Sequence, residues 1–445
     1  MSIAPYRDVL RLPGVTRLVG FAVLARIPQT ASSVVLTLYV VDSLRLGYAA
    51  AGVVATATTA GMALGGPWRG RVIDRRGLRR ALLPSVIASA LAWGAAPFVG
   101  FWPLAVVGFL GGLLGVPVFG VVRQSLSVLV PAGQRRTGFA LDSIGTEISF
   151  MVGPAAGVLL ATQFSPTVAL LAVGAGSVLS GLGLILLDPP TRSAAPGSAG
   201  REPDGNRGPA ESRVPVLAPA GTGSGNGAGG RSGSDPRDGS ELPGRVHWYS
   251  PALLAVLVAA LAAGLVLAGT DVGLVAQLRA AGALSLTGLV FAAWSGGSVI
   301  GGAVYGGMRR AVPPRVLLPA MAVLTVPVGL APSPVLLAVT ILPAAALCAP
   351  LISATAEMVS RLVPEWSRGE AMGWHGSALT VGSALGAPLS GAAIDAVAPW
   401  AGFAVVGSVG VVLGVAGLLL QREGRSGAAR NVTGRPGAGR TVGAG

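Results

Sequence analysis

The residues able to do chemistry are few, and they stand inside long apolar runs: Arg26, Arg123, Glu147, Asp271, Glu357 and His375. In a lipid interior a charge near the middle costs about 2.5–3.5 kcal/mol even on the lenient insertion scale, so each asks for a partner or a task. Arg26 and Glu147 lie roughly ten residues into their segments, about 15–17 Å deep at 1.5 Å per residue. They are expected to pair, either as a substrate or proton site or as a permanent structural ion pair. Arg123 and Glu357 fall near the ends of two other segments. They are candidates for a closing pair, the alternative being that each reaches out to the polar interface. Asp271, in the outer third of its segment, is either a protonatable group on a pathway or a carboxylate facing water. His375 titrates in the useful range, although beside Trp374 it could simply be packed. Glu370 opens a segment, where a carboxylate suits the helix dipole. Asp142, in the first turns of its segment, is expected to reach water.

Composition excludes several kinds of chemistry. Cys348 is the only cysteine, so there is no internal disulfide and no cysteine-based metal site. His247 and His375 are the only histidines. Every basic residue is Arg, so a P-loop lysine is missing and ATP hydrolysis by this chain is excluded. Gly225, Gly227 and Gly230 fit a G-x-G-x-x-G pattern, but in a Gly/Ser-rich stretch with no strand before it. No nucleophile–base set or cofactor motif is found, and the expectation is no enzyme, no cofactor and no metal. The formal charge of +14 resembles a nucleic-acid signal. The arginines nevertheless fall mostly between apolar runs, where they read as topology determinants, and no nucleic-acid partner is expected.

The elements that must position these groups are membrane helices. The chain is 52% hydrophobic and 11% charged, too apolar for a soluble surface. A helix crosses a bilayer in about 20 apolar residues. Twelve segments qualify: 15–41, 48–68, 80–100, 102–128, 137–162, 166–187, 250–278, 286–308, 313–331, 333–361, 368–393 and 397–420. The arginine near the middle of the first run and the lack of a small-residue cleavage site predict an uncleaved first helix rather than a signal peptide. Loop arginines collect on one side: Arg7, Arg11 and Arg17, the 69–80 cluster, Arg135 and Arg136, Arg309, Arg310 and Arg315, Arg361 and Arg368, and the tail from Arg422. The asymmetry predicts that both termini are cytoplasmic, in a multi-pass protein of the cell inner membrane. Trp102 and Trp400 sit where an outer aromatic belt would lie, Trp68 and Trp248 where an inner one would. Residues 188–247 are rich in Pro, Gly and Ser and read as a flexible cytoplasmic linker. The predicted domains are a six-helix bundle over 1–187, the linker, a second bundle over 248–420, and a disordered cytoplasmic tail over 421–445.

The two bundles repeat at an offset of about 233 residues. Pro117 and Val130-Pro131 correspond to Pro350 and Val363-Pro364. Gly153, Pro154 and Gly157 correspond to Gly386, Pro388 and Gly391. Gly66 and Gly70 before Arg75-Arg76 correspond to Gly302 and Gly306 before Arg309-Arg310, with the acid lost from the second copy. Two parallel six-helix repeats suit a transporter in which one half rocks against the other.

Gly65–Leu83 carries one carboxylate, Asp74, among six arginines between two apolar segments. It resembles the loop 2–3 signature of the major facilitator superfamily, through Gly70, Asp74, Arg75, Gly77, Arg79 and Arg80, with Leu78 where the family usually has a basic residue. Gly153-Pro154-x-x-Gly157 is similar to the fifth-helix motif of the superfamily's proton-coupled drug exporters, with Val158 in place of its last glycine. The resemblance implies an all-α fold of twelve membrane helices in two bundles, working by alternating access as a monomer. It implies that Asp74 latches the closed state against the start of segment eleven near Arg368 and against Arg135 or Arg136. The expected function is proton-coupled export (antiport) of small amphipathic or drug-like molecules, with the small-molecule substrate, protons and the lipid bilayer as partners. The alternatives are import or exchange of a metabolite anion held by Arg26 and Arg123, and a non-transporting membrane sensor.

Overall fold

The computed structural model describes residues 4–192, 250–308 and 310–433. Most of the linker, Trp248, Arg309 and the tail from residue 434 therefore lie outside the described residues. Twelve long helices follow a short N-terminal one, Ala4–Leu10. In the first half they are α1 Val15–Ser43, α2 Tyr48–Arg76, α3 Leu78–Phe98, α4 Phe101–Leu129, α5 Arg135–Gln163 and α6 Pro166–Leu187. In the second half they are α7 Pro251–Ala280, α8 Leu284–Gly307, α9 Pro314–Leu330, α10 Pro334–Leu362, α11 Glu365–Ala396 and α12 Pro399–Thr433. Ten are long and apolar enough to cross a membrane, and α9 is a shorter apolar helix. Helix α2 has the length, but Gly, Thr and arginines dilute its hydropathy. The twelve segments expected from the sequence are thus all helices. Helix α12 runs on past the expected end of the second bundle at residue 420, through a stretch whose Gln, Arg, Glu and Ala are good helix formers.

Small residues set the packing, as they must where lipid and side chain are equally apolar. Gly153 and Gly157 of α5 press on Thr30, Ala31 and Val35 of α1, and Gly386 of α11 presses on the Leu265 backbone of α7. The fifth- and eleventh-segment motifs therefore do the same job in the two halves. Gly391 has open space around it and contributes no such contact. Helix α4 is interrupted at Gly115–Pro117, and side chains satisfy the freed carbonyls: Gln29 Nε2 donates to Val116 O at 2.6 Å, and Arg69 Nη1 donates to Gly115 O.

Each half has its own apolar core, and Phe139 of α5 joins a further cluster with Leu253, Val256, Val359 and Met372 of the other half. The first residues of the expected linker dock rather than trail away. Asp188 pairs with Arg79 at 2.8 Å, and Thr191 O accepts from Gln124 Nε2 at 3.3 Å.

Candidate functional site: a buried charge cluster and a clasped helix end

Three polar constellations lie along the seam between the halves. The first is a buried chain of five polar residues on five helices, three in the first half and two in the second. Asp142 (α5) accepts from Arg26 (α1) on Oδ1 at 2.5 Å and from Arg123 (α4) on Oδ2 at 3.0 Å. Its backbone carbonyl lies 3.4 Å from Arg26 Nη1. Arg26, fully buried, also stacks over the Phe119 ring at 4.7 Å. Arg123 then reaches across the seam, with Nη1 3.5 Å from His375 Nδ1 (α11), while His375 Nε2 lies 2.9 Å from Thr355 Oγ1 (α10).

This geometry corrects three expectations. Arg26 pairs with Asp142 rather than Glu147, because Glu147 lies five residues on and leaves α5 by a different face. Arg123 does not pair with Glu357, which instead accepts from Arg361 one turn away at 2.5 Å. Asp142 does not reach water; it is 1% exposed and is the hub of the cluster. Distance from the helix end does not set its exposure, because α1 and α4 cover it from the side. His375 is buried and packed, yet it is also the far end of the bridge.

The second constellation is acidic. Glu147 Oε1 accepts from Ser298 Oγ (α8) at 2.7 Å and lies 3.5 Å from Cys348 Sγ (α10). Ser298 in turn accepts from the Ala349 backbone at 3.2 Å. Asp271 of α7 has an exposed side chain and lies within electrostatic reach of Glu147. Glu147 and Asp271 thus bring carboxylates from the two halves to one level of the bundle.

The third constellation closes the arginine-rich end. Asp74, buried at the end of α2 beyond the apolar stretch 48–68, accepts on Oδ1 from Gly369 N at 3.0 Å and on Oδ2 from Glu370 N at 2.8 Å. These amides stand in the first turn of the α-helical part of α11, Arg368–Ala396, where an amide lacks a partner within the helix. Gln124 Nε2 adds a third bond at 2.8 Å. The start of α11 is where the resemblance placed Asp74, but the third partner is Gln124 rather than Arg135 or Arg136. Burial pushes the Asp74 carboxyl up to about 6, against the lowering pull of its three donors. Arg71 holds the Glu370 carboxylate with Nε at 2.9 Å. Gly70 makes this approach feasible, since a Cβ there would run into the Gly369 carbonyl. Gly77, at φ +79°, ends α2 in a backbone region that favours glycine. Arg75 and Arg80 are exposed.

The second copy of the signature clasps in the opposite sense. Thr137 Oγ1, at the start of α5, donates to Gly306 O at 2.7 Å. Arg136 donates to Met308 O and lies 5.9 Å over the Tyr305 ring. Here the C-terminal carbonyls of α8 receive donors, whereas in the first copy the N-terminal amides of α11 meet an anion. Between the two clasps, Ser143 and Ser353 share a hydrogen bond at 2.8 Å and Ser377 donates to Ala63 O at 2.5 Å.

Comparison with known proteins agrees with this architecture. The profile of the Major Facilitator Superfamily matches residues 18–318 and 252–440. No curated protein sequence matched the chain. Among solved structures, the human organic anion transporter MFSD10 (TETRAN) is 16% identical with a TM-score of 0.62, over 92% of this chain and 99% of that one. A bacterial homologue of the iron transporter ferroportin, in an outward-facing state, is 17% identical with a TM-score of 0.64, over 93% and 100%. The proton:xylose symporter XylE is 12% identical with a TM-score of 0.63, over 90% and 94%. At these identities the likeness is one of fold.

Proposed function

The chain belongs to the Major Facilitator Superfamily, and from that premise we propose that it is a proton-coupled exporter of small amphipathic cations working by alternating access. The positive-inside bias of the loop arginines makes the arginine-rich end cytoplasmic, with both termini inside, in the cell inner membrane. The two clasps then close the cytoplasmic side.

The observation that carries the proposal is the Glu147–Asp271 level. Carboxylates from opposite halves, one bonded to Ser298 and one exposed, can hold either a proton or a cationic substrate but not both at full strength. Competition of that kind couples an inward proton to an outward cation: each displaces the other as the halves rock. The apolar walls accommodate the hydrocarbon part of the substrate.

The test uses purified protein in liposomes with a trapped pH dye, under an imposed pH gradient. Amphipathic cations should evoke proton flux, and Glu147→Gln or Asp271→Asn should abolish it. Flux evoked by organic anions instead would favour the second reading, in which the Arg26–Arg123 pair, two guanidiniums on one carboxylate, binds an anion. Labelled-anion uptake lost in Arg26→Ala would identify that case. Folded protein that moves neither class of compound would point to the sensor role.

A further inference from the structure

The short helix Ala4–Leu10 lies before the region matched by the superfamily profile, and it touches both halves. Val9 is fully buried in the core of the first half, in one cluster with Val15, Leu18, Leu126 and Val130. Gly14, at φ +82°, turns the chain into α1 and fixes the helix to that half at a second point. On the adjoining face Tyr6 reaches the second half. Its hydroxyl donates to Ala303 O of α8 at 2.7 Å and lies 3.1 Å from Gly302 O. Gly306, one turn on, leaves the space that the phenol ring occupies, since a Cβ there would collide with the Tyr6 hydroxyl. Arg7, Asp8 and Arg11 point outward. The tyrosine stays neutral in this seat, because partial burial pushes its pKa up to about 12.

We propose that Ala4–Leu10 is a strap across the arginine-rich end, and that Tyr6 is a gating residue that holds α8 closed against the first half until the halves rock apart. The reasoning is geometric. Val9 and Gly14 move with α1, whereas Gly302 and Ala303 move with α8. The separation of halves that would open this end must therefore break the Tyr6 bonds or pull Val9 from its core. The phenol also sits beside the Arg136 and Thr137 clasp, so it reinforces the copy of the signature that has lost its acid.

The strap rests on the alternating-access reading, and one experiment separates the two. Spin labels placed at Arg80 and Arg315, exposed residues of opposite halves, report the opening of this end in a Cys348→Ser background. Wild type should show a short and a long distance. Tyr6→Phe, which keeps the ring and removes the hydroxyl, should raise the ratio of long to short about fivefold, the effect of one ordinary hydrogen bond. Deletion of residues 2–12 should raise it further, because the Val9 anchor goes too. Two distances with unchanged weights in both variants would overturn the strap and leave alternating access standing. A single fixed distance in wild type, with and without substrate, would overturn both.

Discussion

Asp74 and Glu370 meet across the seam through the backbone: the Asp74 carboxylate accepts the Glu370 amide at 2.8 Å while the Glu370 side chain is held by Arg71, one turn before Asp74 on the same helix. The two residues therefore tie α2 to α11 by two separate bonds that run in opposite directions. Asp74→Ala removes the acceptor of three bonds at once, those from Gln124 and from the Gly369 and Glu370 amides. Bonds to charged groups contribute about 1.5–3 kcal/mol, so the closed state should lose roughly ten- to a hundredfold in population. Turnover should fall while membrane insertion stays normal. Unaltered turnover in the folded mutant would remove the latch role.

The same carboxyl makes the latch sensitive to pH. Its pKa is about 6 in the closed arrangement and near 3.8 when free in water. The closed state therefore binds the proton more tightly, and by linkage acid favours it. The burial penalty is fully present above about pH 6 and is relieved as pH falls toward 4. The distance between labels on the two halves should shift toward the closed value over that window, and Asp74→Asn should flatten the curve. A shift toward opening in acid would mean that the three donors outweigh burial.

Much of this was legible in the sequence. The helical segments follow from apolar run length, a property of single helices, and the meeting of Asp74 with the start of α11 is what the resemblance to the superfamily's loop signature implies. The partner of each buried charge was not legible. Residue counts place Arg26 and Glu147 at similar depth, but depth leaves a helix free to rotate, and rotation decides which face meets which neighbour. Asp142 and Glu147 differ by five residues, well over one turn, so α5 presents one to α1 and α4 and the other to α8 and α10. The sequence did carry one usable signal: Asp142 stands one turn from Gly138 and Gly145 and two turns from Ser149, small residues that mark the packed side of α5.

Asp142 should be the least replaceable of the buried charges. Asp142→Ala leaves two buried guanidiniums facing each other without a counterion. Removing one member of a buried ion pair typically costs about 3–5 kcal/mol. Thermal melts in nanodiscs should show a large loss for Asp142→Ala and a much smaller one for Asp142→Ala combined with Arg26→Met. Equal losses in the single and double variants would show that the charge imbalance is not what the carboxylate corrects.

Gly70 of the loop signature and Gly391 of the eleventh-segment packing motif offer a contrast between two glycines that the sequence singles out. Gly70→Ala drives a methyl group into the Gly369 carbonyl, whereas Gly391→Ala enters open space. Overpacking costs about 1–3 kcal/mol, so Gly70→Ala should lower substrate-evoked flux on the order of tenfold. Gly391→Ala should match wild type. Equal activity of the two variants would mean that α2 and α11 part company by other contacts.

The α2–α11 contact is sealed largely by backbone against backbone, with Gly66 and Gly70 on one side and Gly369 and Gly373 on the other. Such a seam hides peptide groups more than hydrocarbon. Exposing apolar area raises heat capacity and exposing polar area lowers it, so parting this seam should change the heat capacity little. The balance between its two positions should then be governed by a nearly constant enthalpy, and should drift smoothly rather than curve as the surroundings warm.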